Sequence, residues 1–254
     1  MKNLCFIVLL LWAIPGFAQA QSKIDPGFHI YLLAGQSNMA GRAPLDSLSK
    51  IASADIYMLD STNKWVLATD PVHFDKPGVA GVGPAISFAK EMAAKGKHVK
   101  IGLVPCAWGG SPIRVWEPDS VYLKAKPYNF AIARVKIALQ YGVLKGILWH
   151  QGESDNSPAA ATVYLDKLNV LINRFRQDLN APDVPFIAGE IGYFGKKPAM
   201  INDVINELPK AVKHTAVVSA AGLTDKGDNT HFDTRSAREL GKRYATAMYQ
   251  LQHP

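Results

Sequence analysis

The chain has 254 residues, 48% of them hydrophobic and 19% charged, with a formal net charge of +7. That composition can fill a large core, and the sequence contains no internal repeat, low-complexity tract or interdomain linker. Its basic residues are dispersed, Lys95, Lys97 and Lys100 being the nearest to a cluster, so the charge reads as a solvated surface and not as a nucleic-acid footprint.

Residues 1–20, MKNLCFIVLLLWAIPGFAQA, read as a signal peptide. Lys2 is followed by an apolar run from Leu4 to Ile14, and Ala18-Gln19-Ala20 gives an A-x-A cleavage pattern before Gln21. The run is too short for a bilayer span, which takes about 20 apolar residues. The expectation is an exported product, periplasmic or secreted, with no membrane contact after cleavage. Residues 21–254 then read as a single domain, with the net charge falling to +6 because Lys2 is the one charge in the leader. Cys5 leaves with the leader. Cys106 remains as a single thiol, so an intramolecular disulfide is excluded. It ends the apolar run IGLVP and reads as buried and inert.

Strand-like runs follow in order: FHIYLLAG (28–35), ADIYMLD (54–60), VKIGLVPCA (99–107), LKGILWHQG (144–152), VPFIAGEIG (184–192) and TAVVSA (215–220). Short, nearly continuous apolar runs are those of strands covered on both faces. Helical patterns lie between them. Pro84 opens one that Gly96 stops. Ser157-Pro158 caps another towards Leu179, whose stripe is Val163, Leu165, Leu168, Leu171, Ile172 and Phe175. The last begins near Thr234 and buries Ala237, Leu240, Tyr244, Met248 and Leu251. Alternating β and α elements predict an α/β fold with a mostly parallel, doubly wound sheet. Ligands of such sheets bind beyond the carboxyl ends of the strands, which selects the loops 36–42, 108–116, 151–157 and 222–233.

Those loops hold the residues for acyl chemistry. Ser37, in IYLLAGQSNMAGR, is either a helix cap or a nucleophile. A serine needs a base, and DNTHFD supplies His231 with Asp228 three residues before it, close enough for the carboxylate to fix one ring nitrogen. A surface histidine near a helix start is the alternative. An oxyanion needs donors: the Gly109-Gly110 amides offer them, as does the Gln151 side chain. An ordinary α/β-hydrolase is excluded, because Met39 stands where the second glycine of G-x-S-x-G belongs. GVAGVGPA (78–85) lacks the preceding strand and the following lysine of a phosphate loop. His150 and Glu153 have metal-ligand spacing without a third ligand, so no metal is expected. His73 and His98 read as surface residues. Trp108 and Trp116 are candidates for stacking on sugar rings or for core packing, and Arg114 for a polar substrate group or an acidic neighbour.

The blocks AGQSNMAGR, GGSPIRVW, WHQGESD and DNTHFD, in this order, resemble the SGNH-type carbohydrate O-acetylesterases, the acetylxylan esterase and sialate O-acetylesterase group. The resemblance spans roughly residues 28–248. It implies a flavodoxin-like three-layer α/β/α sandwich and metal-free, cofactor-free hydrolysis of acetyl esters on carbohydrates. By resemblance Ser37 is the nucleophile, His231 the base, and Asp228 the acid, with Glu153 as an alternative or additional acid. The Ser37 amide, Gly110 and Gln151 resemble the oxyanion hole, and Gln36 and Asn38 join Trp108, Arg114 and Trp116 as candidate substrate contacts. Acetylated xylan or its oligosaccharides is the leading expected substrate and an O-acetylated sialic acid the second. A non-catalytic carbohydrate-binding protein on the same fold is the competing class.

Overall fold

The stretch FHIYLLAG forms β1 (Phe28–Gly35), and its side chains alternate between two cores. Ile30, Leu32 and Ala34 belong to one and Tyr31 and Leu33 to the other, as the two-residue period of a strand requires. The computed structural model describes residues 24–96, 98–195 and 200–254, and the expected signal peptide lies outside the described residues.

Among the described residues the six further strands are β2 (Ile56–Leu59), β3 (Trp65–Leu67), β4 (Lys100–Pro105), β5 (Val143–His150), β6 (Phe186–Gly189) and β7 (Thr215–Val218). They form one seven-stranded sheet in the order β3-β2-β4-β1-β5-β6-β7. Every pairing is parallel except β2 with β3. β3 is not foreseen by the sequence reading: three residues at the sheet edge, two of them exposed, carry no readable period. The observed β4 to β7 each stop short of the expected apolar runs. The surplus residues, such as Gln151-Gly152 and Glu190-Ile191-Gly192, leave the sheet to build its rim.

The helices are α1 (Ser37–Ala40), α2 (Ala85–Lys95), α3 (Pro127–Ala138), α4 (Pro158–Asp178), α5 (Met200–Asn206), α6 (Leu208–Ala211) and α7 (Thr234–Gln252). α2 and α7 cover one face through Phe88, Met92, Leu240, Tyr244 and Met248. α3 to α6 cover the other through Val135, Leu168, Phe175, Ile205 and Leu208. The result is a three-layer α/β/α sandwich. α4 starts as its sequence requires, with Ser157 accepting the Ala160 N–H before Pro158, a cap that stabilises by about 1 kcal/mol. α3 escapes the pattern because Arg134 interrupts its apolar face. That side chain is buried and donates to the carbonyls of Leu59 and Asp60. His73, expected at the surface, is buried instead, and desolvation pulls its ring down to about 4.

β1 lies at the topological switch: the chain winds outward through β4 on one side and through β5 on the other. The crevice for ligands therefore opens where β1, β4 and β5 end. Gly35 permits the closest approach there. Its φ is +124°, and a Cβ would lie 2.1 Å from the His150 carbonyl oxygen. The next residue, Gln36, donates its N–H to that same oxygen at 2.8 Å.

Candidate active site

Beyond Gly35 the backbone turns at once into the single-turn α1, whose first residue is Ser37, 6% exposed. The first N–H groups of a helix have no intrahelical acceptor. Among the described residues the Ser37 N–H donates to no protein group. Across the crevice, the loop after β7 brings His231 Nε2 to 3.0 Å from Ser37 Oγ. The other ring nitrogen, Nδ1, lies 2.7 Å from Asp228 Oδ2.

The D-x-x-H spacing works because the loop folds on its own side chains. Asp228 Oδ1 accepts the N–H groups of Thr230 (3.0 Å) and His231 (2.8 Å). Asp225 Oδ2 accepts those of Gly227 and Asn229. Burial raises the Asp228 carboxyl, but the hydrogen bonds from the His231 ring and from the two N–H groups outweigh it and bring it down to about 2. The carboxylate is thus anionic throughout the ordinary pH range and can hold the imidazole and its positive charge.

Glu153, the alternative acid, does not reach His231. Its Oε1 accepts from Asn38 Nδ2 at 2.5 Å and lies 3.7 Å from His150 Nε2. Burial raises the Glu153 carboxyl, with the Asn38 hydrogen bond opposing. Asn38 is likewise occupied: Nδ2 also donates to the Thr230 carbonyl at 3.0 Å, and Oδ1 accepts the Phe232 N–H at 3.1 Å. Asn38, expected to touch substrate, instead ties the His231 loop to the end of β1.

The expected oxyanion donors differ in how free they are. The Gly110 N–H donates to no protein group among the described residues and is available to a ligand. The Gln151 amide is committed elsewhere. It is fully buried, Nε2 donates to Asp155 Oδ2 at 2.6 Å and to Gln36 Oε1 at 3.1 Å, and Oε1 accepts from Tyr164 at 2.9 Å. Both donors are spent, so Gln151 holds Gln36 in place. Gln36 Oε1 also faces the Ser154 N–H at 3.3 Å, and Gln36 Nε2 has no protein acceptor among the described residues, which keeps Gln36 a candidate substrate contact.

Trp116 is not on the rim. It is 1% exposed, packs edge-to-face on Trp149 at 5.0 Å, and donates its indole N–H to Ser111. Trp108 is half-buried, edge-to-face with Phe130 at 5.4 Å. Arg114 does line a cavity of about 550 Å³ that opens beside Gly110 and Ser154, together with Tyr122 and Lys167. A cavity of about 1030 Å³ lies between α2 and α7 and is lined by none of Ser37, Gly110 and His231. Asp155, not singled out by the sequence, also accepts the Ile113 N–H at 2.8 Å. The signal was present in WHQGESD, one residue past the serine that follows Glu153.

A mostly parallel α/β/α sandwich with this constellation at its switch point defines the class, an SGNH-type carboxylic ester hydrolase. The model of the SASA family, described as carbohydrate esterase, sialic acid-specific acetylesterase, matches residues 27–250, and the chain belongs to that family. A probable carbohydrate esterase of Arabidopsis thaliana is 32% identical over 249 residues, covering 90% of this chain and 93% of its own. The X-ray structure of that protein superposes with a TM-score of 0.78, covering 89% of this chain and 99% of that one. The fold is shared with NanS, at a TM-score of 0.71 and 18% identity, covering 91% of this chain and 99% of NanS. It is also shared with XAC1771, a carbohydrate acetylesterase from Xanthomonas citri, at 0.68 and 22%, covering 87% of this chain and 56% of that one.

Proposed function

We propose that the protein is an exported serine esterase that removes O-acetyl groups from carbohydrates by two-step acyl transfer. The observation that carries this reading is the unbroken line from Asp228 Oδ2 through both nitrogens of His231 to Ser37 Oγ, at 2.7 and 3.0 Å. His231 Nε2 takes the hydroxyl proton as Ser37 Oγ attacks the acetyl carbonyl. The oxyanion is met by the N–H groups of Ser37 and Gly110. His231 then gives the proton to the departing sugar oxygen, leaving acetyl-Ser37. Water, deprotonated by His231, attacks that ester and releases acetate, returning the proton to Ser37.

Acetylated xylan or its oligosaccharides is the leading substrate, on the likeness of the motif blocks. A second reading, an O-acetylated sialic acid, is supported by Arg114 and Lys167 in the cavity beside Gly110, where they suit a sugar carboxylate, and by the family's description. Acetate release from acetylated xylan, from an O-acetylated sialic acid and from a small aryl acetate, with Ser37→Ala beside the wild type, tests both levels. A loss of about 10³-fold or more on every substrate is expected. The sugar that the wild type turns over decides between the readings, and equal rates in the two proteins would hand the site to a binding function.

A further inference from the structure

Behind the Gly109-Gly110 turn the protein buries an ion pair that touches no reacting atom. Arg42 Nη2 lies 2.5 Å from Asp75 Oδ2, with side chains 5% and 3% exposed. The same Oδ2 accepts the Gly109 N–H at 2.8 Å, and Arg42 Nη1 donates to the Gly41 carbonyl at 2.7 Å. The pair therefore joins the turn that ends α1 to the turn that carries Gly110. Stability alone is a poor reason for it, since a buried ion pair is often no better than a well-packed apolar pair.

Gly109 sits directly on this pair. A Cβ there would lie 2.5 Å from Arg42 Nη2 and 3.0 Å from Asp75 Oδ2. Its carbonyl is held from the other direction by the Tyr122 hydroxyl, which donates at 3.1 Å. The Gly109 C=O and the Gly110 N–H belong to one planar trans peptide. Fixing the Gly109 N–H and C=O therefore fixes the direction of the Gly110 N–H. Ser154 Oγ donates to the Gly110 carbonyl at 3.0 Å and locks the following peptide. Asp75 also borders a small cavity. Among the described residues Asp75 Oδ1 and Trp108 Nε1 are buried without a protein partner, and both residues line a cavity of about 120 Å³. An acceptor and a donor in a space of that size suit ordered water.

We propose that Asp75, held by Arg42, is a positioning residue for the oxyanion hole, orienting the Gly109-Gly110 turn so that the Gly110 N–H meets the developing negative charge. This rests on the acyl-transfer reading of Ser37. The interaction served exists only in the transition state, so its loss lowers kcat and leaves KM nearly unchanged.

The test is steady-state hydrolysis of an aryl acetate together with the affinity for a phenylboronic acid, which forms a tetrahedral adduct with a reactive serine. Asp75→Asn and Gly109→Ala each should lower kcat about 10- to 100-fold and weaken boronate binding to match. KM should stay within about twofold, and Arg42→Lys, which keeps the cation, should retain more activity than either. Should Asp75→Asn fail to fold, Gly109→Ala and a wild-type measurement carry the test: amide hydrogen exchange should find Gly109 protected and Gly110 not. A folded Asp75→Asn or Gly109→Ala with wild-type kcat and boronate affinity would overturn the proposal, as would an unprotected Gly109 amide. Wild-type rates in these variants beside an inactive Ser37→Ala would sink the positioning role alone, whereas an active Ser37→Ala would remove the reading beneath it.

Discussion

Ser37 and His231 meet at one point from two differently built supports. The serine stands on the buried end of β1, between Gln36 and Asn38, both under 5% exposed. Their side-chain partners, Gln151, Glu153 and Thr230, lie more than a hundred positions away in the chain. The His231 loop is the opposite. The side chains of His231 and Asp228 are 22% and 37% exposed, and the loop's shape comes from Asp225 and Asp228 bonding N–H groups two to four residues on. A short loop can set its own internal geometry, but its placement against a distant serine needs a long-range tie. Asn38 provides that tie by hydrogen bonds to both Thr230 and Phe232.

The most severe way to break this arrangement is to remove the base. His231→Ala should lower kcat by about 10³-fold or more, leaving the residual rate of the oxyanion hole, as read by acetate release at saturating substrate. Asn38→Ala keeps every reacting group and removes the tie. Its kcat should fall about 10- to 100-fold through misplacement of His231, and a melting curve should show a loss of about 1–3 kcal/mol for the unsatisfied partners left behind. Wild-type kcat in Asn38→Ala would show that the loop places itself.

Glu153→Gln sharpens the same contrast. The amide oxygen can still accept from Asn38, and the change removes a carboxylate whose ionisation burial disfavours. Activity should fall far less than in Asp228→Asn. The reverse ranking would make Glu153 the acid.

The smallest effect is expected at Asp70, which lines the cavity between α2 and α7. Burial pushes its carboxyl up to about 7; the Gly83 N–H, Arg238 and Lys90 oppose the rise, and Asp46 adds to it. The folded protein then holds this proton more tightly than the unfolded chain, so its stability declines as pH rises from the ordinary carboxylate range through about 7. Asp70→Asn should flatten that part of the Tm-against-pH curve and raise Tm at pH 8, with kcat unchanged. An unaltered curve would contradict the raised value.

The legibility of the sequence follows the same division. The strands other than β3, and α2, α4 and α7, are readable because apolar spacing and caps such as Ser157-Pro158 are local signals. The Asp228–His231 pairing was readable for the same reason. β3 and α3 were not, since one is too short for a period and the other buries Arg134 in its apolar face. From sequence, Gln151 is expected among the oxyanion donors and Asn38 against substrate. An amide looks the same in a sequence whether it faces solvent or is spent on Asp155 and Gln36, and only the packing of β1 against β5 decides. Asp75 carried no signal, because its partners Arg42 and Gly109 lie on other segments.

The central claim is that Ser37 carries the acetyl group. Rapid-quench mass spectrometry of the wild-type protein with a fast aryl acetate tests it most directly. The account predicts an acetyl adduct on the peptide containing Ser37, formed at least as fast as turnover and absent from His231→Ala on the same timescale. Turnover with no adduct on Ser37, or with the acetyl group on another residue, would contradict it.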